Sequence, residues 1–250
     1  PWNTPQRGKH HLIYAEGRCV SLAWWHKLIV AMAVIILFAQ TIGIYQPVLG
    51  DENNENPVIK VSYVFSKPKV VKVGEYHSVT IQGLPKLEEP GLPRLPIKAA
   101  RLLVPYGKDP AKITVICDKK TVLGTGFRVE PGQKPVPLSY EGEYVETQPS
   151  DIVYSSNKSF PGVLYSEHSI QMKKGYKLLI FTLYPVQYVP KSGELSYCGE
   201  MRVEVSTKPG TQIGEMMMRW HPEQWKKDRE EIKKMVDNPK VVETYPKPNE

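Results

Sequence analysis

The sequence predicts an all-β protein, an antiparallel β-sandwich of jelly-roll type, with an N-terminal signal or transmembrane helix before it and a short linking helix after it. Three observations carry this. From residue 58 on, apolar and polar residues alternate at period 2 in one short run after another, and glycine and proline turn signals separate the runs. Twenty-three prolines and fourteen tyrosines in 250 residues suit turns and pleated surfaces, not helix interiors. A hydrophobic fraction of 41% supplies a sizeable core, and sandwiches reach this length as one domain.

Residues 1–50 form a separate segment. No charge occurs between Lys27 and Asp51, and residues 28–38, LIVAMAVIILF, are wholly apolar. No polar face appears in that run, which argues against a buried core helix. Trp24 and Trp25 suit the headgroup interface, and the basic tail ahead of them suits the cytoplasmic side. Residues 28–45 are therefore expected in the membrane, with the rest exported. Two versions stand side by side. One is a cleavable signal, cut after Gly50 where the chain turns abruptly polar; the other is an uncleaved anchor, since the charge-free stretch approaches the ~20 residues that span a bilayer.

Of the total charge of +7, residues 1–50 hold +3 (Arg7, Lys9, Arg18 and Lys27 against Glu16), which leaves +4 for the exported part. So small and scattered an excess argues against nucleic acid.

The exported body, expected over residues 51–210, opens with Ile59, Val61, Tyr63 and Phe65 on one face of a strand and Lys60 and Ser62 on the other. Further strands are expected over residues 70–73, 76–82, 99–104, 112–117, 122–129, 163–172, 177–189 and 195–206. Turns are expected at Pro131-Gly132, Pro161-Gly162, Lys191-Ser192-Gly193 and Pro209-Gly210. The last two long runs flank Pro190-Lys191-Ser192-Gly193 as a hairpin. Its register places Leu195, Tyr197, Met201, Val203 and Val205 on one face and turns Cys198 outward, whereas Cys117 follows Ile113 and Val115 toward the core. A disulfide between the two cysteines would need a bulge, at Gly199, to reverse the register, so the count speaks against it.

Residues 211–250 read as a linker with a helix over 222–236. Pro222 suits the first helical position and Asn238-Pro239 the stop. Trp225, Ile232 and Val236 make a thin apolar stripe, which suggests a peripheral helix, and no core material is expected in the KVVETYPKPNE after it. A larger protein is expected to continue beyond Glu250.

Few residues point to chemistry. His77, His168 and His221 are isolated, and no metal-ligand spacing or phosphate-cradling loop occurs, so neither metal nor cofactor is expected. Gly124-Thr125-Gly126 lies in a strand-like stretch and reads as a bulge or a close backbone approach. Pro90, Pro93 and Pro96, three residues apart, read as a rigid crossing loop. Met216 to Met218 read as soft packing at a corner, and Asn157-Lys158-Ser159 as a glycosylation sequon on an exposed loop. A hydrolase using Cys117 or Cys198 is the one catalytic alternative, and the bland reading of a small core residue is preferred to it.

Two ordered stretches carry a family resemblance. EPGLPRLPIKAARLLVPYG, residues 89–107, resembles the early Pro-Gly-x-Pro-x-Leu-Pro segment and following strand of the N-terminal propeptide domain of gingipain-type cysteine peptidases. GYKLLIFTLYPVQYVPKSGELSYCGEMRVEV, residues 175–205, is similar to that family's late hairpin. The resemblance covers roughly residues 58–207. It implies a non-catalytic β-sandwich prodomain of an exported zymogen, which helps its peptidase domain to fold and blocks the active site in cis by filling the specificity pocket. No blocking residue follows from the motif. The turn reading alone offers Arg94, Lys119, Lys120 and Lys191 as loop candidates. The rival function is a membrane-anchored sandwich module that binds protein or glycan.

Overall fold

The computed structural model describes residues 58–137, 139–143, 145–210 and 221–247. The expected membrane segment and the methionine run lie outside the described residues. Among those described, no helix is long and apolar enough to cross a membrane.

The body is mostly β. Its strands are β1 (Ile59–Val64), β2 (Lys69–Val73), β3 (Tyr76–Thr80), β4 (Lys98–Leu103), β5 (Lys108–Cys117), β6 (Lys120–Gly124), β7 (Ser169–Lys173), β8 (Tyr176–Leu183), β9 (Val186–Val189), β10 (Glu194–Cys198) and β11 (Glu200–Pro209). They pair antiparallel in four sheets, ordered β1-β11-β5, β6-β10-β9, β4-β8-β7 and β2-β3. The alternation read in the first strand holds: Ile59, Tyr63 and Phe65 are buried and Lys60 and Ser62 exposed. They join Leu102 of β4, Leu179 and Phe181 of β8, Tyr188 of β9, Leu195 of β10 and Val203 of β11 in one apolar cluster. Each sheet thus buries one face against the others, as period-2 patterning requires.

Two long expected strands are each broken, and for one reason: the chain changes sheets. Residues 177–189 divide at Tyr184-Pro185 into β8, which belongs with β4 and β7, and β9, which belongs with β6 and β10. Proline has no N–H for a ladder, and the Pro185 carbonyl instead accepts the Cys198 N–H at 2.8 Å. Residues 195–206 divide at Gly199 into β10 and β11, again in different sheets. The Gly199 N–H donates to the Lys119 carbonyl at 2.8 Å and its carbonyl accepts the Phe65 N–H at 2.9 Å.

The corner corrects the expected facing of Cys198. Counting parity across Gly199 assumes a single strand; with the switch, Cys198 turns inward and is 4% exposed. Cys117 and Cys198 form a disulfide with Cα atoms 5.7 Å apart, closing 81 residues of sequence. The register reversal imagined at Gly199 is therefore present, as a change of sheet rather than a bulge.

Other boundaries shift less. The strand expected over 122–129 is β6, ending at Gly124, and Val129 makes only an isolated bridge to His77. The ladder slips opposite Leu195 and Ser196, which gives the expected bulge beside Gly124. Gly193, with φ 65°, passes so near the Phe127 backbone that an added Cβ would lie 2.5 Å from its nitrogen. The strand expected over 163–172 begins only at Ser169. The proline-spaced segment is a crossing loop: Arg94 N donates to the Glu130 carbonyl and Gly132 N to the Leu92 carbonyl, with Leu95 buried.

Two helices and a 3-10 turn complete the described residues: α1 (Asp151–Tyr154), α2 (Pro222–Met235) and a 3-10 helix (Pro239–Thr244). Pro222 starts α2 as expected. The absence of core material after it is overturned, because Val242 and Tyr245 are buried and join Ile232 and Val236 in a second cluster with Leu103, Tyr176 and Leu178. The cluster covers the face of β4 and β8 opposite the main core.

Acid should loosen this attachment. The Lys174 ammonium, with Lys173 second, lowers the Glu231 carboxyl from 4.5 to about 2, and the Arg229 guanidinium lowers Glu243. Carboxyls lowered on folding stabilise fully above their unfolded range and lose that contribution as pH falls through the folded value. Both are solvent-exposed, so the effect is modest and salt-sensitive. Urea unfolding from pH 5 to pH 2 should show stability falling, with a shallower fall in Glu231→Gln; equal slopes would refute the assignment.

Candidate functional site

The four basic loop candidates occupy different settings. Arg94 lies in the crossing loop and is held there. Its guanidinium pairs bidentately with Glu88 and lies 3.7 Å from Glu130, and the Glu88 hydrogen bond raises its already high pKa. Glu130 also accepts from Lys86 Nζ at 2.7 Å and from Ser78 Oγ at 3.0 Å. Arg94 thus serves as a tie within the body.

Lys119 and Lys120 occupy the turn from β5 to β6, beside the disulfide corner: the Lys119 carbonyl receives Gly199 N, and Lys120 stands opposite Cys198 in the β6-β10 ladder. The same turn is fastened by Asp118, which pairs with Arg202. Lys191 lies at the tip of the β9-β10 hairpin, at the turn read from the sequence. Among the described residues, the side chains of these three lysines are exposed and make no hydrogen bond or ion pair.

Asn157 falls on an exposed loop, as expected, and the loop adjoins the Lys191 hairpin. Lys191 N donates to the Ser156 carbonyl at 3.1 Å, and Phe160 and Tyr188 exchange backbone bonds of 2.6 and 2.9 Å. Gln187 Oε1 accepts from Ser159 Oγ and Gly162 N, each at 3.1 Å, and its amide donates to the Val163 carbonyl at 2.9 Å. Between these anchors Asn157 and Lys158 are exposed. Lys158 does not stand out in the sequence, because the local triplet reads as a sequon; the anchors that stiffen the loop come from residues about thirty positions away.

A groove of about 710 Å³ opens beside the hairpin, lined by Phe127, Arg128, Asp151, Tyr154, Tyr188 and Lys191 among others. Its two phenols are committed: Tyr154 donates to the Val129 carbonyl and Tyr188 to the Phe127 carbonyl, each at 2.9 Å. Burial pushes the pKa of both upward, so neither exchanges a proton near neutrality. His77 Nδ1 accepts the Arg128 N–H at 3.1 Å and its ring meets Phe127 edge-on, while His168 and His221 are exposed. The disulfide removes both thiols and with them the hydrolase alternative, since only a free thiolate attacks. Among the described residues, no group of three or more His, Cys, Asp and Glu is placed to hold a metal ion.

The described residues thus form a mostly antiparallel β body with a cross-linked corner and exposed lysines on its turns. The comparisons give the family. The family model Propeptide_C25 matches residues 46–219, and the chain belongs to this propeptide family, the one associated with gingipain-type peptidases. Two solved structures share the fold. The complex of Porphyromonas gingivalis RgpB pro- and mature domains is 18% identical with a TM-score of 0.51, over 62% of this chain and 83% of that one. A structure addressing the zymogenic latency of gingipain K from Porphyromonas gingivalis is 23% identical with a TM-score of 0.50, over 64% of this chain and 91% of that one. No curated protein sequence matches the chain.

Proposed function

We propose that this chain is the prodomain of an exported gingipain-type cysteine peptidase zymogen, a jelly-roll-like β-sandwich that masks the catalytic domain following Glu250 and assists its folding. Residues 1–50 supply the export signal or anchor and residues 51–210 the sandwich. The family match over residues 46–219 supports the prodomain assignment and gives the anchored-module alternative no support. The solved relatives, one a complex of pro- and mature domains and one concerned with latency, favour a partner in cis.

The observation that carries the masking role is the loop at residues 156–162, fixed at both ends, with Lys158 exposed on it and the Lys191 backbone bonded to Ser156 at its base. A loop held in one conformation forfeits little entropy on entering a cleft, so a basic side chain on it binds as a preorganised plug. Lys119 and Lys120, on the other exposed turn, form the next pair to test. Arg94, paired with Glu88, suits a structural role; a bulky glycan on Asn157 would keep the adjacent Lys158 out of a cleft, so the plug requires Asn157 to be unmodified.

The test is expression of the gene continued past Glu250, with Lys158→Ala, Lys191→Ala and Lys119→Ala/Lys120→Ala in separate versions. Removing the plug should raise zymogen activity at least 100-fold while leaving the unfolding midpoint in place. Unchanged latency in all three, or a downstream sequence with no peptidase domain, would defeat the proposal.

A further inference from the structure

The segment C-terminal to the family match is docked by its own contacts. Pro222–Met235 and Pro239–Thr244 lie beyond residue 219, where the family match ends, yet they make some of the most specific polar contacts in the described residues. β4 is an edge strand of its sheet, and a free edge normally presents unpaired backbone groups. Here residues 237 and 238 run along it. Asp237 N donates to the Arg101 carbonyl at 2.8 Å and Asp237 Oδ2 accepts the Arg101 N–H at 2.9 Å. The Asn238 amide does the same at Leu103, accepting its N–H at 2.7 Å and donating to its carbonyl at 2.9 Å. Tyr63 hydroxyl donates to Asp237 at 2.8 Å, so the main sheet also grips the segment.

Further along, Thr244 Oγ1 accepts the Tyr106 N–H at 3.0 Å. The Tyr245 hydroxyl donates to the Val104 carbonyl at 2.8 Å and accepts the Lys177 N–H at 2.9 Å. Ion pairs close the other side. Lys174 Nζ meets the buried Asp228 at 2.7 Å and also Glu231, and Lys173 meets Glu231 at 2.9 Å. Inside the segment, the buried Arg229 lies over Trp225, donates to the Val242 carbonyl at 3.0 Å and pairs with Glu243, which ties helix to 3-10 turn. Beneath these contacts Ile232, Val236, Val242 and Tyr245 fill the face made by Leu103, Tyr176 and Leu178.

An extended linker between domains would bury little and leave its backbone to water. This segment combines an apolar anchor, a paired strand edge and desolvated charges, which is the anatomy of a protein interface. We propose that residues 222–245 are a clasp that holds to the β4-β8 face and edge by non-covalent contacts sufficient to keep it bound when its peptide connection to the body is cut. Given the prodomain reading above, the consequence is that hydrolysis between Gly210 and His221, in which water adds across one peptide bond to leave a carboxylate and an amine, does not by itself release the sandwich from the downstream chain. Undocking of the clasp becomes a distinct step.

The experiment inserts a specific protease site between Gly210 and His221 of the full chain and cuts it after folding. The two fragments are expected to co-elute in size exclusion at micromolar concentration, with the Arg101 and Leu103 amides still protected from hydrogen exchange. Asn238→Ala, which removes two bonds to the edge, should speed dissociation at least 10-fold. Lys174→Ala, at a partly exposed ion pair, should speed it several-fold at low salt and less at high salt. Immediate separation of the fragments with the body still folded would overturn the clasp, as would dissociation at an unchanged rate in both variants. Fragment dissociation measures no inhibition, so this result and the latency assay can fail independently.

Discussion

Replacing Cys117 and Cys198 together by serine is expected to lower the unfolding free energy by about 4.5 kcal/mol, the chain-entropy value for a cross-link of this span. The bond joins residues 81 apart and ties the end of β5 to the corner where the chain passes from one sheet to another. Cutting it releases a long loop in the unfolded state. In the folded state it leaves a hydroxyl at the buried Cys198 position, which adds a smaller penalty. Denaturant unfolding of the oxidised protein and of the double variant measures the difference. A loss below about 1 kcal/mol would mean that the corner is held by its backbone bonds to Lys119, Pro185 and Phe65 alone.

Leu102→Ala and Leu103→Ala should each cost about 3 kcal/mol, although the two residues are neighbours on opposite faces of β4. Both are 0% exposed, Leu102 in the main cluster and Leu103 in the second. On a sheet with one wet face, only one of two adjacent positions would be sensitive. Chemical denaturation of both variants gives the answer directly. A near-neutral Leu103→Ala would show that residues 222–245 do not seal that face in solution, and would weaken the clasp with it.

Much of the body is legible in sequence. Alternation in β1, the hairpin turn ending at Gly193, the bulge at Gly124 and the start of α2 at Pro222 all depend on neighbours within a few residues, where side-chain period and backbone dihedrals act. The family resemblance is legible for a similar reason, since its two stretches keep their order and content. Both long runs, by contrast, read as single strands because nothing local distinguishes a strand that continues from one that changes sheets. Pro185 and Gly199 are visible as residues; that they mark sheet changes depends only on which strands lie beside them.

The candidate site divides the same way. Exposure of Lys119, Lys120, Lys191 and Asn157 follows from turn chemistry, whereas the pairing of Arg94 with Glu88 and the stiffening of the Lys158 loop by Gln187 and Tyr188 do not. Sequence alone determined that the chain is an antiparallel β protein of the propeptide kind, since period-2 burial and ordered motifs are properties of contiguous residues. Tertiary structure alone decided that Cys198 turns inward to meet Cys117 and that Val242 and Tyr245 are core. Those outcomes rest on contacts between residues far apart in the chain, where burial depends on what the rest of the fold brings alongside.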